Sequence, residues 1–129
     1  MLFKESWVHI TDNTNVRWVR IFHLYKGFHR KVTKTSLFVK GSARVVEPPR
    51  IEYKGFKYKY SVKGDICRLL IIRVSKQTTS KSLFNLTFPS NEAIIIKKKQ
   101  NPSSKFLNGP TSRIATKRRK LMTLFKKTI

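Results

Sequence analysis

The stretch that most constrains this fold is residues 65–74, which read Asp-Ile-Cys-Arg-Leu-Leu-Ile-Ile-Arg-Val. Nearly continuous apolar content over so short a length is typical of a β-strand that is buried on both faces. Such a strand needs neighbouring strands, and the sequence offers them where apolar and polar residues alternate. These further predicted strands are residues 6–11, 16–25, 37–47, 83–88 and 93–97. The sequence therefore predicts a mainly β protein.

A polar cluster, Asp12-Asn13-Thr14-Asn15, separates the first two predicted strands and is the first candidate for a site. A calcium loop that began at Asp12 would need glycine at its sixth position and glutamate at its twelfth, and neither is present. Asp and Asn side chains at the start of a turn commonly accept hydrogen bonds from the backbone two residues further on. We therefore interpret the cluster as a hairpin turn.

The segments between and after the strands have their own patterns. Residues 25–35 are basic and lack alternation, and the polar residues 75–82 should also form a loop. Pro48-Pro49 ends the third strand because proline supplies no N–H for pairing. Residues 50–62 alternate aromatic residues with lysine, which predicts a hairpin with one aromatic face and one basic face.

The chain has 129 residues, which is enough for a single domain. We expect residues 1–99 to form a small β-barrel that carries a ribbon at about 50–62. Residues 100–129 should form an irregular loop followed by one or two short basic helices, capped by Thr111 or Ser112.

The charge of the chain points to a polyanionic partner. Lys and Arg total 29 against 6 Asp and Glu, which gives a formal net charge of +23. Such a charge repels itself unless an anion covers the protein. Because the basic residues are spread along the whole chain, many phosphate contacts are favoured over a single basic tail. The apolar strands argue against a disordered chain.

Several kinds of chemistry lack the residues they need. Cys67 is the only cysteine, so it can form neither an internal disulfide nor a cysteine-based zinc site, and we expect it to pack in its strand. His9, His23 and His29 lack metal-ligand spacing. No glycine-rich phosphate loop and no apolar run of about 20 residues occurs. We therefore expect no cofactor, no metal and no membrane contact.

The sequence offers two alternatives to a non-catalytic protein that stays bound to a polyanion. A free-standing barrel that binds single-stranded nucleic acid would use aromatic residues of the ribbon as a stacking platform, namely Tyr53, Phe56, Tyr58 and Tyr60. A nuclease would need a carboxylate pair, and Asp12 with Asp65 is the pair the sequence offers. The scarcity of acids favours a protein that is not an enzyme.

Five segments, taken in order, resemble motifs of the universal large-subunit ribosomal protein fourteen family. The family's Asp-Asn-Ser-Gly-Ala-Arg turn resembles Asp12-Asn13-Thr14-Asn15-Val16-Arg17. Its remaining motifs resemble Gly27-Phe28-His29-Arg30-Lys31, Val62-Lys63-Gly64-Asp65 with the strand that ends at Arg73, Phe88-Pro89-Ser90-Asn91-Glu92-Ala93, and Phe106-Leu107-Asn108-Gly109-Pro110. Asn15 stands where the family has glycine; asparagine enters the left-handed conformation more readily than other residues with a side chain, and whether Asn15 adopts a positive φ is left open.

The resemblance implies both a fold and a set of partners. The fold is a five-stranded β-barrel with a projecting β-ribbon and short C-terminal helices. The implied function is that of a structural constituent of the large ribosomal subunit, bound to large-subunit rRNA near the subunit interface. The implied neighbours are ribosomal proteins nineteen and three of the large subunit, and small-subunit rRNA through an intersubunit bridge. In bacteria and organelles the same face also receives a ribosome-silencing factor.

We expect the basic side chains beside the turns and along the ribbon and tail to contact RNA phosphates. The predicted contacts are Arg17, Arg20, His29, Arg30, Lys31, Lys54, Lys57, Lys59, Lys97, Lys98, Lys99, Lys105, Arg113, Lys117, Arg118, Arg119 and Lys120.

The composition also suggests a location. Phe, Ile, Lys, Asn and Tyr are abundant and Lys outnumbers Arg, as expected for a gene in an AT-rich genome. The first 30 residues alternate as strands do and lack the pattern of a targeting leader. We therefore expect an organelle-encoded protein of the mitochondrial matrix, with a plastid or the bacterial cytoplasm as alternatives.

Overall fold

The computed structural model describes residues 1–48, 60–76, 78–79, 85–97, 101–104 and 106–112. These residues contain strands and no helix. The strands are β1 (Leu2–Phe3), β2 (Trp7–Ile10), β3 (Val16–His23), β4 (Val32–Thr33), β5 (Phe38–Val46), β6 (Ile66–Arg73), β7 (Thr78–Thr79), β8 (Asn85–Leu86) and β9 (Glu92–Ile95). Most of the predicted ribbon and the predicted C-terminal helices lie outside the described residues.

Five of the strands form a closed barrel in the order β2-β3-β5-β6-β9, which confirms the predicted barrel. Four of the five pairings are antiparallel. The barrel closes through a parallel pairing of β2 with β9, in which His9 lies opposite Glu92 and Ile10 opposite Ala93. Closure leaves none of these five strands with an unpaired edge.

The strand predicted to be buried on both faces is β6, and the prediction is confirmed. Leu69 and Ile71 pack in the main core with Cys67, which is also buried. Leu70 and Ile72 point the opposite way and pack in a second apolar cluster. Because alternate residues of a strand point to opposite faces, continuous apolar content is what such a position requires.

Gly41 allows β5 to approach β3 closely at the barrel wall. A Cβ atom at Gly41 would lie 2.3 Å from Cγ1 of Val19 and 2.9 Å from the backbone oxygen of Arg20. Both distances are far inside van der Waals contact, so a side chain at this position would push the two strands apart.

Two pairs of short strands lie outside the barrel, and three of these four strands, β1, β4 and β7, were not predicted. β4 lies within the predicted basic loop 25–35 and pairs with β1. β7 lies within the predicted loop 75–82 and pairs with β8, so of the predicted strand 83–88 only Asn85–Leu86 is strand among the described residues. A strand of two residues is too short to show alternation in the sequence.

The second predicted strand, 16–25, ends early. β3 stops at His23 because Tyr25, Lys26 and Gly27 have φ angles of 37°, 65° and 113°. Positive φ is incompatible with an extended strand. The chain therefore leaves the extended conformation of β3 at this turn.

Asn15 does not adopt the left-handed conformation that the glycine of the family motif would allow. Residues other than glycine with positive φ in the described ranges are Glu5, Tyr25, Lys26 and Ser36. Asn15 instead acts through its side chain. Its Nδ2 donates to the carbonyl oxygens of Glu47 at 3.3 Å and Ser61 at 2.8 Å, and its Oδ1 accepts from the Ser61 N–H at 3.2 Å.

Candidate nucleic-acid interface

The Asp12 carboxylate is a structural group. Its Oδ1 accepts from the Thr14 N–H at 3.0 Å, as the turn interpretation requires, and its Oδ2 accepts from the Ile95 N–H of β9 at 2.9 Å. The side chain is buried, and burial raises its pKa even though the hydrogen bonds from Thr14 and Ile95 oppose the shift. Asp12 therefore joins the first hairpin to β9 and does not face a substrate.

A second buried carboxylate, Glu92, holds the segment 106–112 on the barrel through Arg73. The Arg73 Nη1 lies 2.6 Å from Oε2 of Glu92, and its Nη2 donates to the carbonyl oxygen of Asn108. Gly109 has a φ of 79°, and a Cβ atom there would lie 2.6 Å from the Arg73 Nη1. Burial lowers the pKa of Arg73, with Glu92 opposing the shift.

The remaining described carboxylates are also occupied within the protein. The Glu47 carboxylate accepts hydrogen bonds from Nε and Nη2 of Arg17 at 2.6 and 2.8 Å. Glu5 forms a salt bridge with Arg20. Asp65 accepts from the Val62 N–H at 2.9 Å. Arg17 and Arg20, both predicted RNA contacts, are therefore paired with carboxylates, and their contact with RNA stays a prediction.

The basic loop brings three of the predicted contacts together. His29 and Lys31 are exposed, whereas the Nε of Arg30 donates to the Val32 carbonyl oxygen at 2.9 Å. Phe28, directly before His29, is 87% exposed. The Lys4 Nζ lies 5.6 Å from the centre of the Phe28 ring, so the N-terminal segment adds a further cation to the loop. The loop thus presents cations beside an exposed aromatic ring.

Of the other predicted contacts, Lys97 is exposed just after β9. The rest lie outside the described residues, namely Lys54, Lys57, Lys59, Lys98, Lys99, Lys105, Arg113, Lys117, Arg118, Arg119 and Lys120. The aromatic platform of the alternative function falls there too, except for Tyr60, which is half-buried.

A cluster that the sequence did not reveal lies on the outer wall between β3, β5 and β6. Lys40 and Arg68 are directly opposite each other on neighbouring strands. The Lys40 Nζ and the Arg68 Cζ each lie 5.6 Å from the centre of the Tyr25 ring, and the Arg68 Cζ lies 4.7 Å from the centre of the Phe38 ring. Finding this cluster required the register of β5 against β6.

Aromatic residues also occupy the outer face of β2 and β3. Trp7 and Trp18 are 49% and 38% exposed. The Trp18 ring meets the His9 ring edge to face, with centroids 5.2 Å apart. Exposed aromatic faces beside cations suit contact with nucleotide bases. The barrel wall thus combines charge with stacking surface.

A comparison with known protein families identifies the family of this chain. A model of the family described as ribosomal protein L14p/L23e matches residues 1–129. The chain belongs to this family. It is therefore a ribosomal protein of the large subunit, and the family is structural, not enzymatic. Membership in the L14p/L23e family confirms the resemblance drawn from the five sequence motifs.

The described residues of this L14p/L23e protein lack two other kinds of feature. They contain no group of three or more His, Cys, Asp and Glu side chains placed to hold a metal ion. Among these same residues no helix has the length and apolar character needed to cross a membrane.

Proposed function

We propose that this L14p/L23e protein binds large-subunit rRNA near the subunit interface and contributes to an intersubunit bridge with small-subunit rRNA. Family membership supports a place in the large subunit. The finer assignment to RNA contacts is supported by the distribution of charge in the barrel.

The observation that carries the proposal is the use of the carboxylates. The chain has 6 acidic residues, and the described ones serve as internal partners. They are Glu5, Asp12, Glu47, Asp65 and Glu92. The exposed lysines of the described part are therefore left for an external anion. RNA supplies closely spaced phosphates, and each contact releases condensed counterions.

The basic loop is the part of the described surface best suited to this contact. Lys26, His29, Lys31 and Lys34 are exposed around Phe28. Lysine positions phosphates without reading sequence, while an exposed ring can stack on an unpaired base. We propose that the loop contacts rRNA in this way, together with the other predicted basic residues.

The proposed protein neighbours are ribosomal proteins nineteen and three of the large subunit. A ribosome-silencing factor is a further proposed partner. The proposed location is the mitochondrial ribosome, and the composition of the chain supports it.

The test is sedimentation combined with crosslinking. Epitope-tagged chain should migrate with the large-subunit peak of a mitochondrial lysate in a salt-washed gradient. Ultraviolet crosslinking should then join it to large-subunit rRNA. A Lys26→Gln, Lys31→Gln, Lys34→Gln variant should lower the crosslink yield, and Lys63→Gln, which lies outside the loop, should not. Absence of the chain from the large-subunit peak, or crosslinks to unrelated RNA alone, would contradict the proposal.

A further inference from the structure

We propose that Tyr25, Lys40 and Arg68 form a binding site for a single phosphate group on the outer wall of the barrel. The inference rests on the proposed function for the source of that phosphate, which is the RNA backbone. The site shares Tyr25 with the basic loop, while Lys40 and Arg68 lie on the barrel wall, and none of its three residues was among the predicted RNA contacts.

The first argument is an uncompensated pair of like charges. Lys40 on β5 lies directly opposite Arg68 on β6, and like charges at such positions destabilise a sheet. Both cations lie at the same 5.6 Å distance from the Tyr25 ring centre. The Arg68 Nε is also buried and lacks a hydrogen-bond partner among the described residues. An anion bound between or beside Lys40 and Arg68 would relieve the repulsion between these two cations.

The second argument is that no described carboxylate can serve as that anion. Glu5, Glu47 and Glu92 are paired with Arg20, Arg17 and Arg73. Asp12 is buried at the first hairpin, and Asp65 is bound to the Val62 N–H. Within the described ranges the charge of Lys40 and Arg68 is therefore balanced by no side chain of this chain.

The third argument is that the turn after β3 is held in a costly conformation that places the ring. Tyr25 and Lys26 both have positive φ, which is unfavourable for residues with a side chain and persists where the surroundings impose it. The Tyr25 ring meets the His23 ring edge to face at 5.0 Å, and His23 lies opposite Lys40. The turn thereby positions the ring against both cations.

His23 adds a ring N–H donor to the same place. The Tyr25 N–H donates to Nδ1 of His23 at 3.4 Å. A neutral imidazole that accepts at Nδ1 carries its proton on Nε2. The cluster therefore offers a guanidinium, an ammonium and an N–H donor within one small surface, and a phosphate oxygen can accept from each of these groups.

The experiment compares Lys40→Met and Arg68→Met, singly and together, with Lys63→Met as the matched control. Binding to a large-subunit rRNA fragment is measured over a range of KCl concentrations. Thermal unfolding is measured without RNA, in inorganic phosphate and in chloride at equal ionic strength. A glutamate-rich peptide serves as a second anion in the unfolding assay.

The site predicts opposite effects on stability and on binding. Each single variant should unfold at a higher temperature than the wild type in chloride, because the like-charge pair is gone. Each should lose the stabilisation that phosphate gives the wild type. In the RNA assay the negative slope of log K against log salt should become shallower by about 0.9, the value for one phosphate. The double variant should lose the same amount, because one phosphate is shared.

Three outcomes would overturn the inference. These are an unchanged salt slope in both single variants, phosphate stabilisation that survives in the double variant, and stabilisation by the glutamate-rich peptide equal to that by phosphate. The two assays separate this site from the proposed function. If the protein does not bind rRNA, the wild type fails to bind the rRNA fragment, whereas phosphate still raises its unfolding temperature and Lys40→Met still removes that effect. Lys63→Met should match the wild type in the phosphate assay throughout.

Discussion

Replacing Arg73 with methionine should destabilise the barrel more than any surface substitution. The Arg73 and Glu92 side chains are 10% and 12% exposed, and the pair also binds the Asn108 carbonyl. Methionine keeps much of the side-chain volume but leaves the Glu92 carboxylate buried without its cation. Removal of one partner of a buried pair costs about 3 to 5 kcal/mol. This is a large part of the roughly 5–15 kcal/mol that stabilises an ordinary domain.

The measurement is urea unfolding followed by tryptophan fluorescence. With a dependence of about 1.5 kcal/mol per molar urea, the midpoint of Arg73→Met should fall by roughly 2 M or more. Arg20→Met is the matched control, because its partner Glu5 is exposed. A surface pair contributes about 0–1 kcal/mol, so the control should stay near the wild type.

A double variant separates the buried charge from the loss of packing. Arg73→Met combined with Glu92→Gln removes both charges, and it should recover at least about 1 kcal/mol relative to Arg73→Met alone. Limited proteolysis should cut the segment 106–112 faster in the single variant. Equal stability of Arg73→Met and Arg20→Met would refute the reasoning, because the buried pair would then not hold the segment to the barrel.

Three further predictions concern the turn and the barrel wall. Asp12→Asn removes a group whose pKa is raised in the folded state. Because the folded wild type binds a proton more tightly than the unfolded chain, the free energy of unfolding of the wild type relative to this variant should increase as the pH falls from 7 toward 4. Chemical denaturation at several pH values measures it, and a relative free energy that decreases over this range would contradict the raised pKa. Asn15→Ala should cost about 1–3 kcal/mol in urea unfolding and speed proteolysis near Ser61, because their hydrogen bonds are lost. Gly41→Ala should lower the free energy of unfolding by about 1–3 kcal/mol, because the added methyl group overpacks the contact between β5 and β3. Gly64→Ala meets open space, so its cost of about 1–2 kcal/mol should come from the positive φ alone. Equal urea midpoints for Gly41→Ala and the wild type would contradict the overpacking argument.

The parts of the fold that the sequence predicts are those set by local alternation. β2, β3, β5, β6 and β9 each lie within or overlap a predicted strand, because inward and outward positions differ in hydrophobicity. The turn at Asp12 was also predictable, since its hydrogen bond to Thr14 is local. β6 shows the same logic in a strand that is buried on both faces.

The parts that the sequence does not predict depend on pairings between distant segments. The bond from Ile95 to Asp12 and the pair of Arg73 with Glu92 exist because β9 closes the barrel against both β2 and β6. Likewise, Lys40 and Arg68 become neighbours through a single register of β5 against β6. A shift of one residue in that register would place them on different faces.

The carboxylates of the described part lie at the joints of the barrel, and this placement links stability to RNA binding. Asp12 joins the first hairpin to β9, Glu92 joins β9 to segment 106–112 through Arg73, and Glu47 joins the end of β5 to β3 through Arg17. A chain with a net charge of +23 repels itself. A carboxylate at each of these contacts between segments therefore offsets part of that repulsion where the segments meet. The same use of the acids leaves the lysines of the outer wall without a carboxylate partner among the described residues. The carboxylate contacts that hold the barrel together therefore also leave the charge of these lysines to be balanced by an external anion, as the proposed contact with phosphate requires.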